Sequence, residues 1–285
     1  LVGSEMWIRD RVGRLVASGR SLTHRPGFAL AMFFLAFVLV SGVAPTLLTH
    51  YQPYATSPTE RLVPPGTAHL FGTDALGRDL YARVIHGASL SIEAALIAIG
   101  IALSGGLTLG LFAGFAGGWV DAVVMRCVDV VLALPVLLLS LAVVTAIGFG
   151  TLPVAIAVGI GIVPGFARTT RGEVLRVRTL PYVEAARLGG ASRTRTLVRH
   201  VMPNCWGPVA ALAILDFGSA ILSVASLSFL GFCAAPPASD WGDLVADGRD
   251  FLITAPWVSL IPGLFVMAVI LSTNHIAHTL DERRQ

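Results

Sequence analysis

Between Asp129 and Arg168 the chain carries no charged side chain. Soluble domains carry about 25% charged residues, and their folds do not accommodate a run of this kind. A membrane span takes about 20 apolar residues. The run therefore holds more than one span, and Gly148-Phe149-Gly150-Thr151-Leu152-Pro153 near its middle is a turn signal. Other span-length apolar stretches are Phe28 to Leu48, Ala94 to Val120, Trp206 to Phe232 and Leu252 to Ile276. With the third span starting near Val123, six spans are expected. Composition agrees: 55% of the residues are hydrophobic, 13% are charged and the mean hydropathy is +0.77.

Arginines orient these spans. One group is Arg9, Arg11, Arg14, Arg20 and Arg25 before the first span. A second is Arg168, Arg171, Arg176, Arg178, Arg187, Arg193, Arg195 and Arg199 between the fourth and fifth. Arg283 and Arg284 follow the last. Six spans place all three groups on one side, which the positive-inside bias makes the cytoplasm, so both termini are expected inside. The other side holds Arg61, Arg78, Arg83 and Arg249, offset by acids. The expected organisation is a basic tail over 1–27, a first span over 28–48, an external segment over 49–93, a five-span core over 94–276 and a tail over 277–285. The core includes a cytoplasmic loop over 168–204. Trp7-Ile8, Val12 and Leu15-Val16 in the first tail suit either an interfacial amphipathic helix or a disordered basic arm. The first apolar run is of span length and lacks a small-residue cleavage site, which argues against a cleaved leader.

The loop before the fifth span contains an island, Tyr182 to Pro203, that local physics makes a helix–turn–helix. Pro181 suits a first helical turn, and Tyr182 to Leu188 are mostly good helix formers. Gly189-Gly190 stops that helix. Ser192 can cap a second helix running to about His200, and Pro203 is expected to close the island. Two short helices joined at a glycine turn make a stiff knob. The alternative is an ordinary basic loop.

The island resembles the cytoplasmic loop of binding-protein-dependent ABC importer permeases. That loop has E-A-A, three residues, G, and later a Pro; here these are Glu184-Ala185-Ala186, Gly190 and Pro203. Phe71-Gly72-Thr73-Asp74-Ala75-Leu76-Gly77-Arg78-Asp79 is similar to the F-G-T-D-x-x-G-R-D box of the peptide-importer branch. Leu227-Ser228-Phe229-Leu230-Gly231 with Pro236-Pro237 and Asp240-Trp241-Gly242, and Pro256-Trp257 with Pro262-Gly263, resemble that branch's last two spans and the loop between them. Two positions depart from the pattern: Val224 where many relatives carry an acid, and Ala277-His278 where a G-D pair is usual.

The resemblance implies an all-α membrane protein with six transmembrane helices, like a type I ABC importer permease, in a bacterial inner membrane. It implies the second of two homologous permeases, working with two ATPase subunits and an extracytoplasmic binding protein to import di- or oligopeptides. Tyr182, Glu184, Ala185, Ala186, Gly190, Arg193 and Pro203 would form the coupling element that contacts the ATPase. ATP and magnesium would bind only in those partners, and no catalytic residue, metal site or nucleic-acid partner is implied. Nickel or another small solute is the alternative cargo.

Other residues bound the rivals. Asp216 is the one acid deep in an expected span, and an intramembrane acid suggests a functional role. It and Ser223 are candidate path-lining residues, although Asp216 also suits a satisfied polar group inside the bundle. Asp74, Arg78, Asp79, Asp240 and Trp241 are candidates for shaping or docking at the external mouth. Arg126 and Asp129 are spaced for an i,i+3 ion pair, Glu93 sits near the external mouth of the second span, and His275 and His278 share a helix face. Cys127, Cys205 and Cys233 show neither metal nor disulfide spacing. The chain contains no lysine, which excludes a Walker A loop and Schiff-base chemistry. An ion-coupled transporter using Asp216 is one rival, though no repeat relates the halves. A membrane enzyme would need a cluster of reactive groups at one depth, and the sequence offers none.

Overall fold

A computed structural model of the chain describes residues 26–233 and 237–281. The expected features of residues 1–25, Pro236, Arg283 and Arg284 lie outside the described residues. Within them the long elements are helices, and the one extended pairing is an isolated bridge, Thr73 with Asp79.

In chain order the helices are α1 (Pro26–Val43), α2 (Leu80–Ala116), α3 (Gly118–Leu132), α4 (Val136–Ile147) and α5 (Thr151–Val177), then α6 (Pro181–Leu188), α7 (Arg193–Thr196), α8 (Met202–Phe229), α9 (Trp241–Gly248) and α10 (Trp257–Asp281). Among the described residues, five helical stretches are long and apolar enough to cross a membrane; the bent pair α3–α4, if counted as one span, makes six. That pair turns by 94° where Pro135 cannot continue the preceding helix. The break at Gly148 and Gly150, both at positive φ, divides the long charge-free run as its turn residues indicate.

The second helix departs from the expected boundaries. The helix begins at Leu80, ahead of the apolar run that starts at Ala94, so Arg83, His86 and Glu93 of the expected external segment belong to it. The fold neutralises Arg83 internally, as described below. The last helix begins at Trp257, because Pro256 disfavours helix at the residue before it.

The bundle is organised around α2 and α5, its most extensive helix pair. Gly106, Gly110 and Gly114 lie four residues apart on α2 and face Phe166, Thr170 and Val174 of α5. A Cβ at Gly106 would come within 2.1 Å of Phe166, at Gly110 within 2.5 Å of Thr170, and at Gly114 within 2.9 Å of Val174. Small residues at this spacing let helix backbones approach where the surroundings are lipid. On the other side, α1 packs on α10 through Phe34 and Phe37, whose rings lie 5.4 and 6.4 Å from that of Phe265. Phe33 and Leu30 of α1 are exposed and suit contact with lipid.

Two ion pairs join α3 to α5. Arg171 makes a two-pronged contact with Asp121 at 2.5 and 2.6 Å, and Arg168 donates to Asp129 at 2.5 Å. The expected Arg126–Asp129 pair is therefore not what forms: α5 brings Arg168 within reach of Asp129, and Arg126 stays exposed.

Candidate functional site

The island folds as a knob. Pro181 opens α6, and Val183, its only buried residue, anchors it in an apolar cluster with Val174, Val177, Val201 and Cys205. The helix ends in a Schellman turn: Ala191 N–H reaches Ala186 O at 3.1 Å and Gly190 N–H reaches Arg187 O at 3.0 Å. Gly190 takes φ +85° to do this, whereas Gly189 stays at φ −73°. Only the second of the two glycines needs its conformational freedom. Ser192 then caps α7, its Oγ accepting from Arg195 N.

Pro203 does not close the island. From Arg193 to Phe229 the chain runs as one continuous helical rod of 37 residues. Proline lacks an N–H, and its ring would clash with the carbonyl four residues back in a regular helix. A π turn over Leu197–Val201 absorbs this, with Met202 N–H reaching back to Leu197 O. The carbonyl of His200, loosened by the turn, accepts from Asn204 Nδ2 at 2.7 Å and from the Tyr182 hydroxyl at 3.5 Å. Tyr182 thus ties α6 to the base of the rod. Of the candidate coupling residues, Tyr182, Glu184, Ala185, Gly190, Arg193 and Pro203 are exposed and Ala186 is half-buried.

Along the rod, Asp216, Ser219, Ser223 and Ser226 fall on one face at 100° per residue. Ser223 and Ser226 donate to Ser219 O at 2.9 Å and Leu222 O at 2.7 Å, which mutes their polarity. Asp216 is half-buried, and no described side chain pairs with it.

At the opposite end of the bundle the glycine-punctuated box is a buried polar staple. Asp74 Oδ1 accepts from the backbone of Leu76 and Arg78, while its Oδ2 accepts from Arg78 Nε at 2.6 Å and Arg83 Nη1 at 2.8 Å. Arg83 also reaches Ser239 Oγ and, at 3.2 Å, Asp247. Asp79 caps α2 through Ala82 N and accepts from His69 at 2.8 Å. Asp240 caps α9 through Gly242 N and Asp243 N. Trp241 is fully buried and donates through Nε1 to Val84 O at 2.9 Å. Trp257 Nε1 reaches Thr73 O at 3.3 Å.

This burial corrects the expectation of a docking surface. Asp74 is 2%, Asp79 5%, Asp240 1% and Trp241 0% exposed, which leaves no surface on them for a partner to touch. These residues hold the cap together. Arg83, expected outside the membrane, is their hub, a role its sequence position alone does not mark. The available signal was no more than an arginine close behind a helix-capping aspartate, in a helix without another arginine. Among the described residues no three His, Cys, Asp or Glu side chains could share a metal ion.

A profile of the family described as "binding-protein-dependent transport system inner membrane component" matches residues 106–285. The chain belongs to that family. It is a multi-pass inner-membrane permease. A dipeptide transport system permease protein of Alkalihalophilus pseudofirmus is 40% identical over 87% of this permease and 81% of its own length. A putative peptide transport system permease protein of Brucella suis is 38% identical over 94% of this permease and 90% of its own length. The crystal structure of an amino acid ABC transporter with histidines superposes with a TM-score of 0.54 at 16% identity, covering 72% of this permease and 94% of that chain. The last likeness speaks to fold alone.

Proposed function

We propose that this chain is one of two homologous permeases that form the path of an ATP-driven importer for di- or oligopeptides. The observation that carries the reading is an exposed knob, stiffened by a Schellman turn and a tyrosine tie, fused without a break to a membrane-crossing rod. The names of the relatives support peptide as cargo. Both termini and the knob face the cytoplasm in this reading. Two separate ATPase subunits bind ATP and magnesium, and their closure displaces the knob. The rod then moves as a unit, and access to the path switches from inward to outward. A binding protein delivers peptide at the far end, where the buried staple keeps the mouth rigid. Asp216 and Ser223 line the path on the half-open face of the rod.

Gly190→Trp tests this. A Cβ at Gly190 meets nothing within 4 Å, so the knob has room for a side chain, and the left-handed backbone adds strain of about 1–2 kcal/mol. The variant is expected to insert and express normally, to lose its co-purifying ATPase subunits and to abolish uptake of a labelled dipeptide in cells. Normal uptake at normal expression would overturn the coupling assignment. Uptake that survives ATP depletion at constant proton gradient would favour an ion-driven mechanism instead.

A further inference from the structure

A cavity of about 690 Å³ lies between the knob and the end of α2. Its walls include Phe112, Phe115, Arg178, Arg187, Arg193 and Leu197. Three arginines therefore line one recess; of the acids on neighbouring helices, Glu173 pairs with Arg176 and Asp121 with Arg171, while Glu184 on α6 is exposed and makes no ion pair with them. No described carboxylate pairs with Arg187 or Arg193. Arg178 Nη1 donates to Gly114 O at 2.8 Å, covering a carbonyl at the end of α2 that would otherwise repel an anion. The Arg187 guanidinium lies 5.6 Å from the centre of the Phe115 ring, which steadies it without neutralising it.

The surroundings fix the depth. Phe112 is 60% exposed beside the recess and Trp119, on the following helix, is 79% exposed. An exposed tryptophan at the end of a span, such as Trp119, marks the headgroup level of a bilayer. Arginine forks match the oxygen geometry of phosphate, and basic pockets between spans at this depth hold anionic headgroups. We propose that this recess binds a phosphate group, with Arg187 and Arg193 as its principal ligands and Arg178 behind them. An anionic phospholipid or a soluble phosphate can supply that group. Bound there, it bridges the knob to α2 and sets how freely the knob moves. The inference goes beyond the transport reading, relying on it only for which leaflet faces the recess.

Native mass spectrometry of the full chain in detergent, titrated with phosphatidylglycerol or phosphatidylcholine, tests the proposal. Thermal unfolding with and without inorganic phosphate is measured in parallel. Phosphatidylglycerol retained in preference to phosphatidylcholine assigns the lipid source; stabilisation by inorganic phosphate without lipid preference assigns the soluble source. In either case Arg187→Gln with Arg193→Gln should weaken the effect about tenfold. Arg187→Lys with Arg193→Lys, which keeps the charge and loses the fork, should fall between the natural chain and the glutamine variant, and Arg199→Gln, outside the recess, should change nothing. Equal retention of both lipids with no phosphate effect overturns the proposal, as does binding that the double glutamine variant leaves intact. Loss of ATPase subunits from that variant, with lipid and phosphate binding unaltered, would assign the arginines to a protein contact and likewise overturn it.

Discussion

Arg83 is 3% exposed and balances Asp74 and Asp247 at the end of the bundle away from the knob. Removing one member of a buried charge pair strands the other, at a cost of about 3 kcal/mol or more. Arg83→Gln is expected to lower the thermal midpoint of the purified chain clearly. Asp74→Asn with Arg83→Gln should cost less than the sum of the single changes, because the stranded carboxylate is then gone. Additive losses would show that the two do not act as a pair. Nearby, burial, aided by Asp247 and Asp240, pushes the Asp243 carboxyl up to about 6 from an ordinary 3.8. The folded cap therefore binds a proton more tightly than the unfolded chain does. This contribution to stability is complete below pH about 4 and is lost as pH rises through about 6. Subtracting the thermal midpoints of Asp243→Asn from those of the natural chain between pH 4 and 7 should give a difference that declines with rising pH. A flat difference would place Asp243 in an ordinary environment.

Among the elements, the α2–α5 seam allows a sharp comparison. A Cβ at Gly110 would sit 2.5 Å from Thr170 and 2.6 Å from Ala167 O, whereas one at Gly100 on the same helix meets nothing within 4 Å. Gly110→Leu should destabilise the folded chain by about 2 kcal/mol or more, read as lost monodisperse yield and a lower thermal midpoint. Gly100→Ala should be neutral or raise stability by up to about 1 kcal/mol. Similar outcomes for the two would sink the close-packing account. The helix–turn–helix was written in short-range patterns, and the apolar runs marked the spans. Other features depended on partners distant in sequence. Arg83 could not be recognised as a hub because nothing local shows Asp74, Ser239 and Asp247 converging on that arginine. Trp241 and Asp240 looked exposed because their loop is acidic, yet the cap folds over them. Pro203 looked like a stop because the π turn that accommodates it has no signature of its own.

At the scale of the molecule, the rod from Arg193 to Phe229 makes knob and span one body. A helix turns 100° per residue, so one alanine inserted after His200 would rotate the knob relative to the face that carries Asp216. We expect such a chain to insert and to keep its ATPase subunits while ATP hydrolysis proceeds without peptide uptake in reconstituted vesicles. Uptake at the natural rate would mean that force reaches the bundle by another route.

Gly106, Gly110 and Gly114 leave no slack between α2 and α5. Two backbones in that contact cannot slide or tilt apart without opening voids, and voids in a packed interior are costly. They are therefore the chassis of the machine. In the proposed transport cycle, whatever swings as access changes sides must swing against them, on the bearings offered by α1 and the bent α3–α4 pair.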